Sequence, residues 1–424
     1  QAYSVRTLFR SANGVATADL DPTDATRFIG RSTYLSQRRT NKLLDGYLAY
    51  NKTFGKVNVD ATAGYSYQVF TYDGYNSGNK FDVSQNRIPV NFADADVVLI
   101  GYFGRANFTF NDKYILTASF RRDGTSRFSE DNRWGFFPAA AFAWKMKEDF
   151  FKNSNAISDL KLRVGYGQSG QQDIDVGDFY LPRYNLGFTN SQYNFGGTNF
   201  QVGVPQSYNP DLKWETTTTY NAGIDYGLFG NRINGAVDIF YKLTEDLYFR
   251  ETPYADGSNF GNQGPANIGS FSTKGIEFTI NADIVRGESF NWNINFNATR
   301  FERRIEELVA DSDVLTGSLP GGIGGRSGVH REGFTPFSFL MYKQLYDTTG
   351  RPIEGAFADL NADGIINEND RYIYKNPDPD ATFGFSSNLN YKNFDFSFFM
   401  RASIGNRVFN QVKAGRAYST YALS

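Results

Sequence analysis

The stretch GIEFTINADIV (Gly275–Val285) and, after a tight link, FNWNINFNAT (Phe290–Thr299) decide the fold. In the first, Ile276, Phe278, Ile280, Ala282 and Ile284 oppose Glu277, Thr279, Asn281 and Asp283. In the second, Phe290, Trp292, Ile294, Phe296 and Ala298 oppose four asparagines and Thr299. Arg232–Leu243 repeats the pattern, with Ile233, Val237, Ile239, Tyr241 and Leu243 on one face and Asn234, Asp238 and Lys242 on the other. Extended chain sends successive side chains to opposite faces, whereas a helix returns to the same face every three or four residues. A period of two therefore predicts strands with one apolar and one polar face. Each is long enough to cross a bilayer as a tilted strand, which predicts an all-β chain: a transmembrane antiparallel β-barrel, apolar outside and wet within.

Outward from these segments, strands are expected at Asn41–Lys52, Val57–Tyr72, Val97–Phe110, Lys113–Arg122, Trp134–Lys147, Leu160–Gln168 and Trp214–Leu228. Others are expected at Arg232–Phe249, Thr273–Val285, Phe290–Phe301, Ala381–Tyr391 and Phe394–Ser403, with Tyr3–Phe9 as part of a thirteenth. The links alternate in length. Thr53–Lys56, Asn111–Asp112, Phe229–Asn231, Arg286–Glu288 and Lys392–Asn393 are short, and Asp149–Asp159 is moderate. Asp73–Asp96, Asp123–Arg133, Ser169–Lys213, Arg250–Ser272 and Glu302–Asp380 are long. Tight turns at one rim and long loops at the other are the asymmetry of outer-membrane barrels. Sandwiches and propellers have no reason to keep that parity. Phe334–Leu345 also reads as a strand, and the parity assigns it to the long excursion, as a hairpin inside the loop.

Composition fits. Among 424 residues, 40 Phe and 27 Tyr raise aromatic content to 17%, yet mean hydropathy is −0.47. No apolar run approaches the eighteen or so residues of a spanning helix, with Phe136–Trp144 among the longest. A net charge of −2 gives no footprint for nucleic acid. The absence of cysteine excludes disulfides and thiolate metal sites. The chain opens at Gln1 without a targeting signal and ends on Tyr421–Ser424, and it reads as an internal piece of a longer protein, an incomplete barrel domain over residues 1–424.

Hydrolytic chemistry finds little support. His330 is the sole histidine, no Gly-x-Ser-x-Gly elbow is present, and a metal site needing several histidines is impossible. Gly-rich Thr316–Gly328 lacks the Lys and Ser/Thr of a phosphate loop and reads as loop. The sharpest motif is Asp359–Asp370, DLNADGIINEND, with oxygen-bearing side chains at positions 1, 3 and 5, Gly364 at 6 and a carboxylate at 12. That spacing matches an EF-hand-type loop, in which Asp359, Asn361, Asp363, Asn367, Asp370 and the Ile365 carbonyl would hold a structural Ca²⁺. Ile366 at position 8 would anchor the loop on apolar surface. The competing reading is a solvated Asp/Asn/Gly turn. In the long link Ser169–Lys213, Phe179, Tyr180, Tyr184, Phe188, Tyr193, Phe195 and Phe200 stand among amides, a combination suited to sugar rings or peptide side chains, with Tyr180, Tyr184, Tyr193 and Phe195 as the candidate contacts. The alternative there is a self-packed loop.

Several motifs in order resemble the SusC/RagA class of TonB-dependent outer-membrane transporters. They are DGTSRF (Asp123–Phe128), NRWGFFP (Asn132–Pro138), LKLRVGYG (Leu160–Gly167) and NPDLKWE (Asn209–Glu215). NIG (Asn267–Gly269), KGIE (Lys274–Glu277), the Asp359–Asp370 loop and YKNFD (Tyr391–Asp395) follow. The resemblance implies a 22-stranded barrel of which this chain is the middle and later part, with the plug domain and its TonB contact outside the chain. It also implies a SusD-like surface lipoprotein as partner, and energised import of oligosaccharides or oligopeptides across the outer membrane, whose lipid would surround the wall. Two other classes stay open: a TonB-dependent receptor for iron chelates, cobalamin or signalling, and a surface β-rich glycan-binding adhesin.

Overall fold

The computed structural model describes residues 2–9, 20–21, 24–28, 31–81, 87–93, 96–174, 179–186, 192–201, 203–253, 263–308, 313–318 and 326–410. The readings made of Gln1, Gly321–Gly325 and Tyr421–Ser424 lie outside the described residues. Thirteen strands form one continuous antiparallel path: β1 (Ala2–Phe9), β2 (Arg31–Phe54), β3 (Val57–Phe81), β4 (Val97–Phe110), β5 (Tyr114–Thr125), β6 (Trp134–Lys145) and β7 (Ile157–Gln171). The path continues through β8 (Glu215–Leu228), β9 (Ile233–Glu245), β10 (Ser270–Arg286), β11 (Phe290–Glu307), β12 (Ala381–Tyr391) and β13 (Phe394–Ile404). Each strand pairs with its predecessor and successor on the path, and the short strand Arg87–Ala93 adds to β3. Among the described residues, no helix is long and apolar enough to cross a membrane.

The register turns the alternation into two continuous surfaces. Ile239 faces Ile276 across β9 and β10, Val237 faces Phe278, and Phe278 faces Ala298 on β11. The same row continues through Phe383 and Ala402 on β12 and β13. A neighbouring row on the same face runs through Tyr241, Tyr220, Tyr166, Ala140, Ala118 and Ala106. Leu48, Leu116, Phe136, Ile239 and Ile276 on this surface are 83%, 48%, 59%, 55% and 47% exposed, so no protein covers them. The opposite surface carries Asp60, Asn107, Thr117, Arg163, Asp225, Asp238, Asn281 and Asn295. A sheet apolar on one side and polar on the other, with no second layer behind it, is the wall of a lipid-embedded barrel around a hydrated bore.

Short links close the rim opposite the long loops. Asn111 and Asp112 take left-handed backbone (φ 52° and 56°), as does the Phe229–Asn231 turn through Gly230 (φ 68°). Such conformations match the twist of paired strands, and Asn, Asp and Gly adopt them at least cost. Most strands run past their apolar alternation: β3 reaches Phe81 and β11 reaches Glu307, since the hydrogen-bond ladder persists after lipid contact ends. The strand expected at Arg232–Phe249 stops earlier, at Glu245. Asp246 turns left-handed (φ 58°), and Tyr248–Pro253 leaves to pair with Gln263–Asn267.

The excursion between β11 and β12 folds on itself. Val314–Ser318, Arg326–His330, Ser338–Tyr342 and Arg371–Lys375 form a separate four-stranded sheet, and Gln344–Tyr346 pairs with Pro352–Phe357. The strand-like Phe334–Leu345 thus stays off the wall. Its central part, Ser338–Tyr342, serves this small sheet, where Leu340 is 4% exposed and Val329 fully buried.

Candidate functional site

Three features converge on the rim that carries the long links: a dry knot, an aromatic hairpin and an oxygen-rich loop. The knot packs Phe128, Phe137, Ile174, Leu212 and Trp214, with Phe179 and Tyr248 against it. Phe137 sits on the bore-facing side near the start of β6, where it lies 5.3 Å from Trp214 in an edge-on contact. Phe128 meets the same indole from another side at 6.0 Å. Trp214 donates its indole N–H to the Arg133 carbonyl (3.0 Å), so its polar edge is satisfied inside an apolar cluster.

Side chains from three long links, and one from β8, stitch this knot together. Asn209 donates to the Pro265 carbonyl (3.0 Å), while its own Oδ1 accepts from the Asp211 amide (2.9 Å) and sets the turn. Ser129 and Asn132 donate to the Pro210 carbonyl at 2.7 and 3.3 Å. Asn267 behaves as a surrogate strand: its Oδ1 accepts from the Lys213 amide and its Nδ2 donates to the Lys213 and Asp246 carbonyls. Glu215 accepts the Tyr248 amide at 2.6 Å. The sequence reading singled out NPDLKWE and NIG only as family marks; their work is to tie loops. The signal that could have revealed it is an isolated Trp flanked by Asn-Pro-Asp in a polar link.

The four aromatic candidates divide. Tyr193 and Phe195 share one face of a hairpin, Gln192–Phe195 with Thr198–Gln201, turned at Gly196 and Gly197 (φ 59° and 85°). Tyr193 stacks on Phe195 at 6.2 Å, and Phe200 meets Phe195 edge-on at 6.0 Å. Asn194 and Asn199 hydrogen-bond on the other face (2.8 Å), so the hairpin is aromatic on one side and amide on the other. Tyr193, Phe195 and Phe200 are 63%, 66% and 51% exposed. Tyr184 stands on a separate ribbon, Tyr184–Leu186 with Gly203–Pro205, and Tyr180 is half-buried beside Phe179. The structure brings together two of the four.

All six residues chosen for the cation loop lie in one turn-rich segment with no helix of four or more residues beside it. Asp370 is fully buried and accepts amides of Leu360 and Asn361 on Oδ1 and of Asn367 on Oδ2. Those donors hold its carboxyl below the usual carboxylate range, the Asn367 amide contributing most. Asp359 accepts the Gly364 amide on Oδ2 (2.8 Å), and its Oδ1 is enclosed with no hydrogen-bond donor. Asp359 lies against Asp370, and two adjacent carboxylates with an orphaned oxygen suit a hard cation. Among the described residues no three carboxylate or imidazole side chains converge by themselves. An ion here would need Asn361, Asn367 and the Ile365 carbonyl as well. Gly364 is left-handed (φ 78°), as such a turn requires. Ile366 does not anchor the loop as its position suggested: it is 45% exposed, and Ile365 is 65% exposed.

The bore side of the wall supplies a polar track that composition alone did not place. Arg163 on β7 clamps Asp225 on β8 (2.7 Å) and reaches Asp238 on β9 (2.9 Å), with Lys161 also on Asp225 (2.7 Å). Beside it an amide ladder runs Asn295 to Asn281 to Asn234, and Asn293 donates to Asp283 (2.8 Å).

A one-layer sheet with a lipid face, a polar bore and a knotted loop rim defines an outer-membrane β-barrel. The comparisons agree. Residues 1–326 match the family described as TonB dependent receptor-like, beta-barrel, and the chain belongs to that family. It is 37% identical over 420 residues to the TonB-dependent receptor SusC of Bacteroides thetaiotaomicron, covering 96% of this chain and 42% of that protein. It is 35% identical to the TonB-dependent receptor P3 of Formosa agariphila, over 92% of this chain and 42% of that one. The chain thus spans less than half the length of these relatives. Its fold is similar to the RagAB peptide importer solved in an open-open state, with TM-score 0.76 and 19% identity over 96% of this chain and 44% of that one. A second RagAB structure gives TM-score 0.70 at 20% identity, over 88% of this chain and 42% of that one.

Proposed function

We propose that this chain forms part of the wall and mouth of an active importer of large nutrients, oligosaccharides or oligopeptides, and breaks no covalent bond. Likeness to SusC over 96% of the chain carries the reading. The hydrated bore and the aromatic–amide hairpin at the mouth add a path and a contact surface to it. The aromatic face of Tyr193, Phe195 and Phe200 would bury apolar faces of a sugar or peptide, while neighbouring amides exchange hydrogen bonds with its polar groups. The asparagine ladder and the Arg163–Asp225–Asp238 cluster would keep the passage wet. A SusD-like lipoprotein would cover the mouth, and TonB would act through a plug supplied elsewhere in the protein. RagAB is described as a peptide importer, which favours peptides as one cargo class. Uptake of labelled oligosaccharides and oligopeptides by cells carrying the full-length protein is the test. The reading expects uptake of one class to vanish on loss of TonB and to fall when Tyr193, Phe195 and Phe200 become alanine. Uptake that persists without TonB contradicts it.

We also propose that Asp359–Asp370 holds a structural Ca²⁺, with Asp359, Asp363, Asp370, Asn361, Asn367 and the Ile365 carbonyl as donors. Support comes from the apposed Asp359 and Asp370 carboxyls and the enclosed Asp359 Oδ1. Chelation should lower the thermal midpoint of the full-length protein, and Asp359→Ala should abolish that response. Identical melting with and without chelator retires the site.

A further inference from the structure

Most links at the periplasmic rim, opposite the long loops, are tight turns; one is not. Between β6 and β7 the chain folds into a compact hook, and we propose that this hook, residues 146–156, is a lipid anchor that inserts Phe150 and Phe151 into the phospholipid leaflet facing the periplasm. The hook is ordered by its own hydrogen bonds. A single helical turn, α1 (Lys147–Phe150), is pinned by the Met146 amide to the Leu160 carbonyl (2.8 Å) and by the Phe150 amide to the Met146 carbonyl (3.0 Å). Ser154 then accepts the Ile157 amide (3.1 Å) to start β7.

Continuity with the lipid-facing surface decides the occupant. Tyr114 and Trp144 are cross-strand partners on that surface, the next pair along from Leu116 and Phe142. Their rings stack at 6.0 Å, and Phe150 extends the row, 5.5 Å from Trp144. Phe151 follows at 6.5 Å from Phe150. Phe150 is 63% exposed and Phe151 38%, so the hook widens the apolar belt beyond the last residue of β6. Asp149 marks the depth. Its carboxylate takes hydrogen bonds from the Trp144 indole (2.9 Å) and the Tyr114 hydroxyl (3.3 Å), and it pairs with Lys113. An ionised group on the lipid side is tolerable only at headgroup level, and three donors make it so here. Lys113 is the main cause that holds Asp149 below the ordinary carboxylate range. Lys147 and Lys152 flank the rings in sequence and Glu148 joins Asp149, so the hook carries mixed charge with no net sign. Exposed aromatic rings bordered by charged groups are the combination that settles at the boundary between hydrocarbon and headgroups.

The 424 residues contain no cysteine, which makes a single-site probe clean once any cysteine elsewhere in the protein is replaced. Full-length Phe150→Cys protein would be labelled with a polarity-sensitive fluorophore and reconstituted into phosphatidylethanolamine–phosphatidylglycerol vesicles. Glu288→Cys, in the exposed Gly287–Ser289 turn, serves as the water-facing control at the same rim. The anchor requires acyl-brominated phosphatidylglycerol to quench the label at 150 several-fold more than at 288, with iodide showing the opposite order. A Phe151→Cys label should agree, which guards against a local distortion at 150. Equal iodide quenching at both sites overturns the proposal. So does a label at 150 shielded from both quenchers, since protein rather than lipid would then cover it.

Discussion

In the middle of β10 neither face is dry: Ile276 is 47% exposed and Glu277 beside it is exposed too. At the mouth, Phe128 and Leu212 are 0% exposed and Ile174 1%. The wall is one residue layer thick, held by a backbone ladder and completed by lipid and water. The mouth is held as a soluble protein is, by interdigitated rings and side chains that cap backbone groups. The difference teaches where sequence changes should be felt. On the wall a residue matters through the medium it faces; in the knot it matters through the neighbours it touches.

The largest break in that contrast should come from Trp214→Ala. Removing the ring that Phe128 and Phe137 pack on is expected to cost about 3–5 kcal/mol locally. Hydrogen exchange should rise in residues 126–133 and 206–214 while β8–β11 stay protected. Next, Ile276→Arg should destabilise the full-length protein in bilayers by about 2–4 kcal/mol, as a charge placed in hydrocarbon does. Glu277→Arg, one residue along but on the bore side, should change it little. Urea unfolding of the two variants measures the gap. Smaller again, Asn267→Ala removes three hydrogen bonds at the knot, two of whose partners sit close to water. A loss of about 1–3 kcal/mol is expected, read as faster proteolysis in the loops without loss of the barrel. The smallest effect concerns pH. Because amides hold Asp370 below its ordinary value, its contribution is present above the usual carboxylate range and is lost as pH falls through the lowered value. Amides of residues 359–370 should lose exchange protection only in acid, and Asp370→Asn should remove that dependence.

The same contrast explains what could be read in advance. A period of two is a local property, so β12 was legible to the residue at Ala381–Tyr391 and β4 at Val97–Phe110. Ends were legible only where apolar alternation and pairing stop together. β3 and β11 continue on polar residues whose ladder the sequence does not announce. The knot was illegible because its partners, such as Ser129 with Pro210 and Asn209 with Pro265, are far apart in the chain. Of the candidate site, the cation loop was visible as one contiguous motif. Tyr193 and Phe195 were visible as aromatics among amides. Their union with Phe200 depended on a hairpin register that only coordinates supply.

The central claim is that alternate residues of the wall meet lipid and water. Single cysteines from Ile276 to Asp283, placed in the full-length protein in vesicles, test it directly. Brominated acyl chains should quench labels at 276, 278, 280 and 282, and a charged aqueous thiol reagent should modify 277, 279, 281 and 283. A reagent pattern with no period of two along these eight positions would contradict the account.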